Sequence, residues 1–233
     1  MMSAPSIVIL TGAGISAESG LGTFRDEGGL WAQHRIEDVA TPEGFARNPQ
    51  RVVDFYNARR AQAAEASPNA AHAALARLQA EHLGDVTLVT QNVDDLHEKG
   101  GSGDVIHMHG ALASALCAAC EHRWPARLEM SVGEECPACA APTIRPDIVW
   151  FGEIPYHMER IERALANADI FAAIGTSGNV YPAAGFVQMA RHVGAETVEM
   201  NLEPGENVGL FDDIRESKAS ETVPNWVAEV LAG

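Results

Sequence analysis

The sequence predicts an α/β fold, with a Rossmann-like parallel sheet at its core and a smaller domain built from one helical and one cysteine-bearing insertion. Three observations carry this. Short apolar, β-branched runs bounded by turn residues recur at Ile7–Leu10, Val86–Val89, Ile144–Val149, Ile170–Ile174 and Thr197–Met200, with helical patterns between most of them. Such alternation reads as a parallel sheet covered on both faces. The first run leads straight into Thr11-Gly12-Ala13-Gly14, a glycine turn after a buried strand, and four cysteines form two C-x-x-C pairs. At 233 residues and 46% apolar content the chain is long enough for one full domain with a modest insertion, so residues 1–233 are read as a single unit.

Taken in order, the turn after the first strand comes first. Gly12 and Gly14 have no Cβ, so the backbone can turn tightly and approach a diphosphate, and the N–H groups that open the next helix can bind its oxygens. A lone G-x-G also closes ordinary turns, and Gly12-Ala13-Gly14 lacks the full spacing of the dehydrogenase fingerprint. From Pro42 to about Leu83 the pattern is helical, in two pieces divided at Ser67-Pro68-Asn69, with Ser67 as a cap and Pro68 at the first helical position. The alanine-rich stretch from Ala61 to Ala80 is read as helix. The insertions are placed at about 37–83 for the helical module and 113–143 for the cysteine module.

Cys117, Cys120, Cys136 and Cys139 leave 15 residues between the two pairs, the spacing of a tetrahedral zinc site. Four thiolates leave no open coordination position, so the metal is expected to be structural and catalysis is not placed on it. A disulfide framework would need an oxidising compartment. The start Met-Met-Ser-Ala-Pro has no basic segment before a long apolar stretch, and no apolar run approaches the roughly 20 residues that span a bilayer. A soluble cytoplasmic protein with no membrane partner is therefore expected; the sequence does not give the oligomeric state, for which a monomer is the default expectation. With 32 acidic against 16 basic residues the formal charge is −16, which argues against a nucleic-acid partner, since duplex binding needs a basic footprint.

In an open parallel sheet, ligands bind beyond the carboxyl ends of the strands. Thr90-Gln91-Asn92-Val93-Asp94 follows the second run, His107-Met108-His109-Gly110 follows the next strand, Gly175-Thr176-Ser177 follows the fourth run and Asn201-Leu202-Glu203 the fifth. Each alone would be read as caps and turns. Together they set polar groups of four strand ends around one crevice.

The string from Thr11 to Arg25 resembles the N-terminal signature of the sirtuins, NAD-dependent protein deacylases, and the motifs above follow in that family's order over nearly the whole chain, closest to the bacterial CobB-type, class III members. The resemblance implies NAD as co-substrate. It implies that Gly12, Ala13, Gly14, Ile15 and Ser16 form the cofactor turn, that Phe24 and Arg25 belong to the family's cofactor loop, and that Gln91, Asn92 and Asp94 contact the nicotinamide ribose. Gly175, Thr176 and Ser177 would line the phosphate side, Asn201 and Glu203 the adenosine ribose, and Ala219 the adenine. His109 would be the catalytic base. Val93 replaces an isoleucine of the family pattern and Gly22 stands where members vary; neither touches the chemistry. In this mechanism the amide oxygen of an acyl-lysine displaces nicotinamide from the ribose, so positioning dominates. A neutral imidazole then relieves a ribose hydroxyl of its proton. The products are nicotinamide, O-acyl-ADP-ribose and free lysine.

His107 is the sharpest rival of His109, because alternation puts both on one face of an extended segment and periodicity cannot separate them. Only the resemblance selects His109. Tyr56 and Arg59, three residues apart on a helix, read on their own as a solvated basic face. In class III members a tyrosine and an arginine at this spacing, with a small alanine upstream, bind the free carboxylate of succinyl- or malonyl-lysine, and Ala40, Tyr56 and Arg59 match. A guanidinium pairs bidentately with a carboxylate and a phenol adds one hydrogen bond. The segment from Arg145 to Glu153, including Val149 and Phe151, resembles the strand and turn that flank the acyl-lysine and pair with substrate backbone, so a broad range of acyl-lysine protein substrates is expected. Three other readings share parts of this pattern: a hydride-transferring dehydrogenase with Asp38 as its acidic residue, a protein ADP-ribosyltransferase, and a non-catalytic NAD-sensing scaffold.

Overall fold

The computed structural model describes residues 4–22 and 34–233. Its main sheet is all parallel and holds β1 (Ile7–Thr11), β2 (Val86–Thr90), β3 (Val105–His107), β7 (Ile170–Ile174), β8 (Glu196–Asn201) and β9 (Asp213–Glu216), in the order β3-β2-β1-β7-β8-β9. The chain fills one side of β1 first and then crosses to the other, so the order reverses between β1 and β7. That reversal opens a crevice at the carboxyl ends of the two strands. Every residue of β1 is buried, as expected of a central strand covered on both faces. Alternation divides them: Ile7 and Ile9 pack with α5 (Ala70–Glu81) and α9 (Ala219–Ala232), whereas Val8 and Leu10 pack with α7 (Met158–Leu165) and α8 (Phe186–His192).

The smaller part holds α2 (Ile36–Val39), α3 (Pro42–Arg47), α4 (Pro49–Glu65) and an antiparallel sheet, β5-β4-β6, formed by β4 (Gly110–Cys117), β5 (Arg123–Pro125) and β6 (Ile144–Ile148). The run at Ile144–Val149 was expected in the main sheet and instead forms an edge of this one. Pro146 explains the difference, since it has no N–H to donate and is tolerated only where one side of the strand is unpaired. Within the segment 37–83 assigned to the helical insertion, α2, α3 and α4 lie in the small domain, but α5 packs into the core beneath the main sheet.

Capping explains where these helices begin. Thr41 Oγ1 accepts from Gly44 N–H and Asn48 Oδ1 from Arg51 N–H, each followed by a proline at the first helical position. The cap of α5 is Asn69 and not Ser67. Asn69 Oδ1 accepts from Ala71 N–H at 2.9 Å while its own N–H donates to His72 Nδ1, and its amide also reaches Ile15 O at 2.8 Å. The same residue therefore starts α5 and anchors the short helix α1 (Gly14–Ala17) after the glycine turn. No helix among the described residues is long and apolar enough to cross a membrane.

Candidate active site

Three glycines interlock at the point where the strand order reverses. Gly12 N–H donates to Ile174 O and Gly14 N–H to Gly175 O, at 2.9 and 2.8 Å. A Cβ on Gly12 would stand 2.7 Å from Gly175 O, one on Gly14 2.7 Å from Gly175 Cα, and one on Gly175 2.4 Å from Ile15 N. Gly175 also has φ +62°, a conformation glycine adopts at no steric cost. The glycines serve first to let the β1 and β7 loops touch, a contact that no reading of the first loop by itself could reveal.

The polar residues after β2 are tied to this turn. Gln91 Nε2 donates to Thr176 Oγ1 at 2.9 Å, and Asn92 Nδ2 reaches both Gly12 O and Ser16 Oγ at 3.1 Å. Ser16 Oγ donates in turn to Asp94 Oδ2, and Leu96 N–H to Asp94 Oδ1. Burial raises the Asp94 carboxyl above its ordinary value, against these hydrogen bonds and the charge of Arg59. On the far side Asn201 Nδ2 donates to Thr176 O and to Glu199 Oε1. Loops after β1, β2, β7 and β8 thus meet in one hydrogen-bonded floor. Ser177 stands at its edge, its Oγ accepting from Asn179 N–H.

The structure separates the two histidines that periodicity could not. His109 Nδ1 lies 3.2 Å from Gln91 O. A carbonyl only accepts, so Nδ1 carries the proton and Nε2 of the neutral ring is the basic nitrogen. Burial lowers the His109 pKa, partly offset by that hydrogen bond. His107 has acceptors at both nitrogens: Asn92 O at 3.2 Å from Nδ1 and Glu98 Oε1 at 2.7 Å from Nε2. Burial works against its charge, but Glu98, the Asn92 carbonyl and Asp94 outweigh burial and raise its pKa. The surroundings thus favour the neutral form at His109 and the charged form at His107.

The small domain contributes the wall opposite. Tyr56, 1% exposed, packs with Ala40, Val93 and Trp150, and its hydroxyl accepts from Trp150 Nε1 at 3.2 Å, leaving the phenolic O–H to donate elsewhere. Arg59, half-buried, has its guanidinium 5.9 Å from the ring centres of Phe55 and Tyr56 and faces Asp94, and burial lowers its pKa. This is not a solvated basic face. The backbone of Val149 donates to His109 O and that of Phe151 to Ala40 O, both at 2.9 Å, so the segment after β6 bridges the histidine and the Ala40 wall while the Phe151 side chain is 47% exposed. The neighbouring face of α4 meets the cysteine module: Asn57 exchanges two hydrogen bonds with the Met130 backbone, and Arg60 Nε donates to Leu128 O.

The four cysteines converge. All their sulfurs lie within 4.8 Å of one another, and the pairs Cys117–Cys139 and Cys120–Cys136 are 3.7 Å apart. Thiolates about 2.3 Å from a tetrahedral zinc would be separated by roughly 3.8 Å. The two knuckles repeat one geometry: Glu121 and Ala140, each four residues after the first cysteine of its pair, both have φ 59° and donate N–H to that cysteine's carbonyl. The donor set fits one structural Zn2+, held by residues of the module alone.

Some expected site residues stand apart from the crevice. Ile15 and Ala219 have buried side chains within the core cluster, so only their backbones could face a ligand, and Glu203 is exposed. Phe24 and Arg25 lie outside the described residues. Asp38 sits on α2 in the small domain, paired with Arg47 and Arg51 and not at the end of a main-sheet strand, which removes the support for a dehydrogenase. Other residues were missed. Thr11 Oγ1 bonds Thr90 Oγ1 and His97 Nε2, and Thr90 Oγ1 accepts Asn92 N–H, a buried polar line beneath the loop. Glu98 and Glu199 likewise carry no motif; only the carboxylate's spacing from the His107 segment in the fold makes Glu98 visible.

Fold and site define a dinucleotide-binding α/β protein, with a switch-point crevice, a basic histidine at its mouth and a tetrathiolate module beside it. The model of the Sir2 family matches residues 12–182. The chain is 56% identical over 230 residues to an NAD-dependent protein deacylase of Caulobacter vibrioides, covering 97% of each chain, and 53% identical to one of Salmonella typhimurium, covering all of this chain and 86% of the relative. It superposes on a crystal structure of a Sir2 homolog–NAD complex with a TM-score of 0.89 at 37% identity, covering 96% of this chain and 88% of that one. A Sir2 mutant with a deacetylated p53 peptide and 3'-O-acetyl-ADP-ribose gives 0.83 at 29% identity, covering 96% and 92%. This chain belongs to the Sir2 family.

Proposed function

We propose that this protein is an NAD-dependent protein-lysine deacylase, which removes succinyl, malonyl and acetyl groups from lysine side chains and acts as a cytoplasmic monomer. The observation that carries the reading is His109, with Nδ1 fixed on Gln91 O and Nε2 basic at the mouth of the crevice. Asn92 and Asp94 hold the nicotinamide ribose, on a loop braced against Gly12 and Ser16. The acyl amide oxygen attacks the ribose carbon as nicotinamide leaves. His109 Nε2 then takes the proton of a ribose hydroxyl, which attacks the imidate carbon, and water completes release of lysine and O-acyl-ADP-ribose. Because burial lowers its pKa, the base is neutral at neutral pH, and its contribution is lost as pH falls through that lowered value.

Acyl selectivity rests on α4. A succinyl or malonyl carboxylate would lie against Arg59 with the Tyr56 O–H as second donor, in a pocket kept wide by Ala40. The N–H groups of Val149 and Phe151 are held by His109 O and Ala40 O, so the segment after β6 would meet the substrate chain through its remaining backbone groups, a mode that tolerates many protein sequences. The test is a reaction with NAD and matched acetyl- and succinyl-lysine peptides, followed by peptide mass and nicotinamide release. NAD-dependent loss of the acyl mass is the expected result. Label from NAD appearing on protein with no acyl product would instead favour ADP-ribosyl transfer.

A further inference from the structure

Two histidines, two residues apart, hold two successive carbonyls of the loop after β2: His109 holds Gln91 O and His107 holds Asn92 O. Only His109 has a part in the chemistry above. We propose that His107, kept as an imidazolium by Glu98, is a positioning residue that fixes the Asn92 peptide and with it the loop that grips the nicotinamide ribose.

Donor counting sets the charge of the ring. Asn92 O and the Glu98 carboxylate are both acceptors, and a neutral imidazole has a single N–H. The geometry at 3.2 and 2.7 Å is met in full only by the doubly protonated ring. Once Asn92 O is held, the rest of that residue is determined, because its N–H already donates to Thr90 Oγ1 and its amide to Gly12 O and Ser16 Oγ. The backbone N–H, the carbonyl and the side-chain NH2 of Asn92 are then all engaged on the floor of the crevice, and Ser16 passes the constraint to Asp94. Losing the His107 contact frees the peptide to rotate and spoils the amide's aim without removing any group that touches the ribose. The charges acting on His107 are Glu98 and His97 from α6 (Leu96–Lys99) and Asp94 from the loop, with Arg59 of α4 acting on Asp94. His97 is held neutral by burial, so the two carboxyl groups decide the sign.

The inference rests on the deacylase reading for its kinetic test but not for its structural one. The pKa of His107 is raised, so its charge is present below that value and lost as pH rises through it; its failure lies on the alkaline side, opposite to that of His109. Kinetics from about pH 6 to about pH 9 should show the wild-type KM for NAD climbing at alkaline pH while kcat changes little. In Glu98→Gln that climb should begin at lower pH, with a KM about 10-fold above wild type at slightly alkaline pH, the loss expected for one charge-assisted hydrogen bond. In His107→Gln, whose amide can still donate to Asn92 O, the climb should vanish. Coincident profiles for wild type and Glu98→Gln would overturn the proposal and leave the deacylase reading untouched. The protein alone supplies the second test, an NMR titration of the imidazole nitrogens with the Asn92 carbonyl as reporter. A His107 ring protonated at both nitrogens near neutrality, with Asn92 moving as it titrates, supports the pair. A singly protonated ring, or an Asn92 signal indifferent to its titration, contradicts it. If the wild type releases no nicotinamide, the deacylase reading falls and this titration decides the pair by itself.

Discussion

At the carboxyl end of the main sheet backbone meets backbone, whereas on α4 the contacts are made by side chains. Gly12, Gly14 and Gly175 bring two loops so close that a single methyl group would collide at 2.4–2.7 Å. On α4, Tyr56 and Arg59 face the crevice while Asn57 and Arg60, on the neighbouring face, grip the cysteine module at Met130 and Leu128. A backbone-built site has little room for variation and suits the invariant part of a reaction. A helix that presents different side chains to two neighbours can change one contact and keep the other. On the proposed function, the chemistry lies in the crevice and the choice of acyl group on α4.

The sharpest way to break that division is at the histidine. His109→Ala should lower kcat by about 100- to 10,000-fold on every acyl peptide, with the fold and the zinc content unchanged; a loss confined to one acyl group would move His109 out of the common chemistry. Gly175→Ala should come next, because the added Cβ must displace Ile15 N and the backbone is left-handed there. A destabilisation of about 3 kcal/mol with loss of NAD binding is expected by denaturant unfolding and calorimetry. Full retention of NAD affinity would mean that the interlock is dispensable.

A third prediction uses pH. His72 on α5 and His97 on α6 are buried with pKa values pushed down to about 4 and about 3 by burial, and each has one ring nitrogen without a partner. Their folded-state values lie below the unfolded value, so the stability they allow is complete above about pH 6.5 and is lost as pH falls toward the folded values, by about 1.4 kcal/mol per pH unit and per histidine. Denaturant melts at successive acidic pH values should show that slope, and hydrogen exchange should show the loosening under the crevice before α4. The smallest effect is expected at Asn57→Ala. Loss of its bonds to Met130 should cost about 1–3 kcal/mol and raise KM for acyl peptide several-fold, with KM for NAD unchanged; an equal change in both would mean that α4 also supports the crevice.

The interior strands of the main sheet were legible because they are short, apolar and followed by glycine or amide turns. The edge strand β9 was not, since Asp213-Ile214-Arg215-Glu216 is polar and half exposed as edges usually are. β6 was legible as a strand but not as to its sheet, although Pro146 carried the hint. The cysteine spacing announced the thiolate module, yet the repeated left-handed residues at Glu121 and Ala140 are ordinary in sequence. In the site, the motifs after each strand pointed to the crevice residues, and the Tyr56/Arg59 spacing to one helix face. What could not be read was mutual approach: the contact of Gly175 with Gly14, the Glu98–His107 pair and the line from His97 to Asn92 all join residues whose proximity exists only after the sheet has formed.

The division between crevice and helix is tested most directly by one ratio, kcat/KM for a succinyl-lysine peptide over that for the matched acetyl-lysine peptide, in wild type and Arg59→Met at saturating NAD. The account predicts that the ratio falls by about 10- to 100-fold in the variant, the range for losing hydrogen bonds to a charged group, while acetyl removal stays near the wild-type rate. Equal loss of both activities would contradict it, and would make Arg59 a support of the fold and not the reader of the acyl group.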